Sequence, residues 1–159
     1  MRLTVEAVRE EHEWTRSRAD VAVPLINDVR NDLGDLFGTD VDTVSREAYR
    51  DAVDDVFADG DLAVNVAALV AILRDIDVDD DYPGFVVDDL LGRELAGMLA
   101  GRQPLRLLGE ATFHYADAHT HGDADDAAGA DDLDAALAAG FQTRLPGWDW
   151  LRSESPFGV

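Results

Sequence analysis

Apolar positions recur at helical spacing along most of the chain. Val5–Ser17, VEAVREEHEWTRS, carries a thin stripe of Val5, Val8 and Trp14 behind Thr4, the pattern of a capped outer helix. Ala22, Leu25, Ile26, Val29, Leu33 and Leu36 continue the period after a restart at Asp20. Pro24 belongs in the first turn there, or kinks one long helix over residues 5–37, and Gly38 stops it. Ser45 caps REAYRDAVDDVFA, whose stripe is Ala48, Tyr49, Ala52, Val53, Val56 and Phe57. Two more stripes follow, Val87, Leu90, Leu91, Leu95, Met98 and Leu99, then Leu107, Leu108, Ala111, Tyr115 and Ala118 behind Pro104. No strand-length alternation interrupts them.

Asp61–Ile76, DLAVNVAALVAILRDI, departs from this pattern. From Leu62 to Leu73 only Asn65 is polar. A helix apolar on nearly every side has to be wrapped by others, so this segment is predicted as the central rod, capped by Asp61. Asn65 is then expected to bond a neighbour's backbone, a buried water or another chain. The fold class follows: all-α, a compact bundle of five to six helices around a buried central helix at about 61–76, with an irregular aromatic C-terminal tail. Residues 1–121 read as the helical domain. Small and acidic, 122–131 reads as a flexible linker. A short helix over Asp132–Ala139, stopped by Gly140, leads into the aromatic segment; 132–159 belong to the same domain or dock a partner.

Charge changes the picture of the surroundings. Thirty-four acids face 13 basic residues, a formal net charge of −21, and every basic residue is Arg. Such a surface repels itself at low ionic strength. Molar salt shortens the screening length to about 3 Å and removes most of that penalty. Asp-rich, Lys-free composition predicts a halophilic archaeon, or one of its viruses, as the source. The acidity then reports the solvent and not a basic partner.

Chain-wide features exclude several classes. Without Cys there are no disulfides, thiolate metal sites or cysteine nucleophiles. The start, MRLTVEAVREEHEW, has charges where a signal peptide needs an apolar run. The longest apolar run, Val66–Leu73, falls far short of the ~20 residues of a membrane span. The expectation is a soluble, cytoplasmic protein without membrane contact. No G-x-S-x-G elbow and no GK[ST] phosphate loop occur, so no cofactor and no enzyme activity are expected. Asp75, Asp77 and Asp79 match the first positions of a calcium loop, but Asp80 and Val86 replace its Gly and its bidentate Glu.

Three readings of function remain. The first is a non-enzymatic interaction, assembly or accessory protein. It would dock onto itself or a protein partner through LPGWDWLRSESPFGV, with Trp148, Trp150, Leu151 and Phe157 as contacts, because aromatic residues bring large area at low entropic cost. A second is a divalent-metal protein: Glu110, His114, Asp117 and His121 fall at i, i+4, i+7 and i+11 on one helical line, with His12 the remaining histidine. The third is a helix-turn-helix transcription regulator over Ser45–Ile76. Nucleic acid is the weakest partner, since Glu47 and Asp51 flank Arg46 and Arg50 and the second helix offers base edges only Asn65.

Overall fold

The computed structural model describes residues 2–76, 86–100, 105–120 and 128–147. All regular structure among them is helical: α1 (Val5–Ser17), α2 (Ala19–Phe37), α3 (Arg46–Ala58), α4 (Gly60–Asp75), α5, α6 (Leu105–Thr120) and α7 (Ala128–Gln142). Helix α5 opens as a π-helix, Val87–Gly92, and continues as an α-helix, Arg93–Ala100. The all-α class stands, with seven helices where five to six were expected. Most of the acidic loop after Asp75, most of the expected linker, and the aromatic tail lie outside the described residues.

Local chemistry sets the helix starts. Thr4 accepts the Ala7 amide at 3.1 Å and Ser45 the Ala48 amide at 3.1 Å. Asp59 caps α4 by accepting the Leu62 amide at 3.2 Å, so the cap lies two residues before the expected Asp61. The break between α1 and α2 falls at Arg18, where the backbone leaves helical geometry. Pro24 sits in the second turn of α2, pointing outward, and costs that helix one amide bond without ending it. Helices α3 and α4 meet at 112°, and no single helix among the described residues is long and apolar enough to cross a membrane.

The central element is α7, not α4. Every residue from Asp132 to Thr143 except Asp134 is buried, and α7 packs on α2, α4, α5 and α6. Its Ala135, Ala136, Ala138 and Ala139 are fully buried, on several sides of the helix at once. Gly140 does not stop the helix. It lies against α5, where an added Cβ would come within 2.5 Å of Leu99 Cβ.

Helix α4 is half-buried. Ala63, Val66, Ala67, Val70 and Leu73 form its inner stripe, whereas Asp61, Val64 and Asn65 face outward. Asn65 therefore has solvent available, and the buried partner expected for it is not needed. Its apolar run made α4 resemble a rod, but Ala and half-covered Leu and Ile account for much of that run.

Helix α6 turns a different face inward from the one its large side chains suggested. Leu107 and Tyr115 are exposed, as are Ala111 and Ala118, while Gly109, Thr112, Phe113, Ala116 and Asp117 are buried. Gly109 decides the orientation: a Cβ there would approach Ala100 Cβ to 2.8 Å. Thr112 enters the core because its hydroxyl donates to the Leu108 carbonyl at 2.8 Å. The π-turn shifts the register of α5 similarly, leaving Leu90 exposed beside buried Val87, Leu95 and Leu99.

Candidate functional site

The predicted metal line is divided among separate partners. Glu110 accepts from Arg106 Nε at 3.2 Å and rests on Gly97 of α5. His114 faces Asp89 at 3.6 Å. Asp117 is buried against the core, and His121 lies outside the described residues. Among the described residues no three His, Asp or Glu side chains gather as metal ligands would.

The described histidines tie helices together. His12 of α1 stacks on Phe57 at 4.7 Å and bonds Asp54 of α3 at 2.7 Å, and Arg16 bonds the other oxygen of Asp54. His119 of α6 bonds Asp32 of α2 at 2.6 Å. Burial raises the Asp54 carboxyl, but hydrogen bonds from Arg16 and His12 outweigh it, and the net is below the usual carboxylate range. A carboxylate depressed in the fold stabilises fully above its unfolded value, about 3.9, and loses that contribution as pH falls through the folded value. Asp54→Asn is expected to cost less than about 1 kcal/mol at neutral pH, as for other half-exposed pairs. Its thermal melting curve should converge with that of the parent chain in acid. A constant separation at all pH values would contradict this.

Two depressions between helices are lined by described residues. One, of about 210 Å³, is lined by Trp14, Arg18, Arg74, Leu133 and Asp134. The Arg18 and Arg74 guanidinium carbons lie 5.5 and 4.5 Å from the Trp14 ring centroid. Arg18 also forks onto Asp134 through Nε at 3.1 Å and Nη2 at 2.8 Å, and Arg74 bonds Glu11 at 2.7 Å. These cations are balanced by acids, so the cluster works as a joint between α1, α4 and α7. The other, of about 470 Å³, is an open groove lined by Asp59, Asp61, Leu62, Asn65, Met98 and Arg106. Arg106 there is held by Glu94 and Glu110. On the helix-turn-helix outline, Arg46 pairs with Asp20 at 2.6 Å, and the outward side of α4 presents Asp61 beside Asn65.

The most elaborate polar construction stands where α7 ends. Arg30 of α2 is 1% exposed and donates to four backbone carbonyls. Nη1 reaches Asp42 at 3.1 Å and Pro146 at 2.6 Å; Nη2 reaches Gln142 at 2.8 Å and Leu145 at 2.9 Å. Burial pushes the guanidinium down to about 10, with Asp42 opposing, so it remains charged at neutral pH. Arg144 Nε donates to the Leu99 carbonyl, pinning the same turn to α5. Gly147 closes it at φ 113°, a left-handed angle, with space for a Cβ only 2.9 Å from Arg30 Nη1. The chain thus reaches residue 147 at a fixed point between α2 and the 38–45 loop.

A family model for a domain of unknown function, DUF7984, matches residues 1–159. The chain belongs to the DUF7984 family. No curated protein and no solved structure matches it. The DUF7984 match spans the aromatic segment as well as the helices, so the segment is part of the family's extent. Trp148, Trp150, Leu151 and Phe157 themselves lie outside the described residues.

Sequence reasoning passed over Arg30, and the signal was present. Arg30 falls on the stripe of Ile26, Val29 and Leu33, where a cation has no reason to stand unless the fold supplies acceptors. Leu36 and Phe37 carry the other missed signal. At the last turn of α2 they are 61% and 63% exposed, the only consecutive pair of large apolar residues so placed among the described residues.

Proposed function

We propose that the chain is a non-enzymatic interaction or assembly protein of a halophilic archaeon or its virus. It engages a protein partner or another copy of itself through the aromatic segment of Trp148, Trp150, Leu151 and Phe157. The observation that carries this reading is the Arg30 clamp. Burying a guanidinium under four carbonyls fixes the point from which that segment departs, and a fixed departure point lowers the entropy lost when the segment binds. Aromatic side chains are the usual energetic centres of such contacts, and molar salt strengthens apolar association further.

Deleting residues 148–159 tests the reading in molar KCl. The expected result is a chain that keeps its helical circular dichroism and a cooperative melt, and that changes its mass in solution or loses its partner. A truncated chain that no longer folds would show the segment to be part of the core. One that folds with mass and partners unaltered would remove the interaction role.

A further inference from the structure

We infer that the outward face of α6 is a self-association seam, on which a second copy of the chain docks its own α6 in antiparallel orientation. This contact goes beyond the interaction role proposed for the aromatic segment, which takes no part in it.

Spacing builds the face. Leu107, Ala111, His114 and Ala118 follow one another at steps of four, three and four residues, the a/d interval of a coiled-coil seam, and all of them are exposed. Leu107 is 61% exposed, and Tyr115 flanks the line at 42%. His114 reaches Asp89 of α5 at 3.6 Å and still keeps 53% of its side chain open. Gly109, Thr112, Phe113 and Ala116 occupy the opposite side, so α6 is anchored to the core from behind. From Leu107 to Ala118 the seam runs about 17 Å at 1.5 Å per residue.

Charge and shape select a second copy as the occupant. With a formal net charge of −21, two chains repel wherever their carboxylates face one another. Helices α1 to α5 each expose an acid, at Glu6, Asp20, Glu47, Asp61 and Glu94. Among its described residues α6 exposes none: Glu110 is half-buried and bonded to Arg106, and Asp117 is buried. Two copies can therefore bring α6 against α6 without opposing carboxylates. Molar salt screens the remaining charge and strengthens the apolar contact. Antiparallel pairing also matches the sizes. It sets Leu107 opposite Ala118 of the second copy and Ala111 opposite His114, a large residue against a small one in every layer. Parallel pairing would set His114 against His114 and Ala against Ala, crowding one layer and leaving gaps at two. A seam this short makes a small interface, so the dimer forms and dissociates with concentration.

The test is sedimentation equilibrium of the full chain in molar KCl over a series of concentrations. The parent chain is expected to rise above the monomer mass as it is concentrated. Ala111→Glu places a carboxylate on the seam at an exposed position. It should keep the helical circular dichroism of the parent and weaken the dimer at least about tenfold. Should that variant fail to fold, Leu107→Ser carries the same expectation. Val64→Glu, on the exposed side of α4, is the control and should leave the dimer as it was. A parent chain that stays monomeric overturns the proposal, as does one whose self-association survives the seam substitution unchanged. Replacing Trp148 and Trp150 with Ser should leave the α6 dimer intact. A dimer lost there and kept in Ala111→Glu would place self-association on the aromatic segment, which overturns the seam and leaves the role of the segment standing. Orientation is read by disulfide formation, since the chain has no Cys of its own. Copies carrying Ala111→Cys mixed with copies carrying His114→Cys should oxidise to the mixed disulfide faster than either variant to its own. The opposite order would overturn the antiparallel arrangement.

Discussion

Replacing Arg30 with Met is expected to lower the stability of the chain by about 2–5 kcal/mol, at about 1–3 kcal/mol for each of the two buried carbonyls left without a donor. Domains of this size have a total of roughly 5–15 kcal/mol, so the variant should be close to unfolded at ordinary temperature. Met fills most of the volume, which keeps the loss from being a cavity effect. What remains is four carbonyls without their donor: those of Gln142 and Leu145 lie in a place nearly closed to water, those of Asp42 and Pro146 nearer the surface. Gln142 ends α7, so its carbonyl is one of those a helix terminus cannot satisfy internally. Arg30→Lys should lie between the two chains, because an ammonium has three donors on one atom and cannot fork across a helix end and a loop together. Urea unfolding at constant molar KCl is the suitable measurement, since guanidinium chloride would alter the ionic strength along with the denaturant. A loss under about 1 kcal/mol for the Met variant would mean that water reaches these carbonyls and that the clamp is not what fixes the turn.

The same residue shows where the sequence was legible and where it was not. Helix positions were readable because caps and turn residues act locally. Thr4 and Ser45 bond amides three residues on, and nothing distant can change that. Helix faces were harder. Leu107 and Tyr115 advertised a buried side of α6 by their size, yet the side that packs is the one bearing Gly109, because close approach of α5 outweighs the area of those two side chains. The assignment of the central rod failed for a related reason. Val and Leu in α4 register strongly as apolar, whereas Ala and Gly in α7 register weakly, and it is the small residues that let a helix be surrounded.

The candidate sites divide in the same way. Spacing put Glu110, His114 and Asp117 on one helix, and spacing was right about that. Their partners, Arg106, Asp89 and the core, come from tertiary packing that no single-helix pattern contains. Arg30 could have been found from its place in an apolar stripe, but its acceptors are mostly 112–116 residues away in sequence. Leu36 and Phe37 illustrate the reverse case. Leu36 fitted the apolar period of α2, and the structure leaves it outside with Phe37, because the period says which residues share a face and not how far along the helix that face is covered.

Gly140→Val is expected to cost about 3 kcal/mol, the upper part of the range for forcing atoms into a packed core. Helix propensity alone would forecast the opposite sign, since Gly inside a helix is worse than most residues by up to about 1 kcal/mol. Packing decides the outcome. A Cβ on Gly140 would stand 2.5 Å from Leu99 Cβ and 2.9 Å from the Ala96 carbonyl oxygen, and neither atom can rotate away. Relief requires α7 and α5 to separate, and Gly109 holds α6 on α5 through Ala100 Cβ and the Ala96 carbonyl, so one displacement spreads through three helices. Gly140→Ala isolates the effect: it adds only the Cβ, gains the propensity term, and should still destabilise. Gly60→Ala is the matched control, since no atom lies within 4 Å of a Cβ there and only the propensity term acts. Melting temperatures that rise for both Ala variants would show that the α5–α7 contact can open without cost. The expected result is a fall for Gly140→Ala and a small rise for Gly60→Ala, because the same substitution meets backbone in one helix and open space in the other.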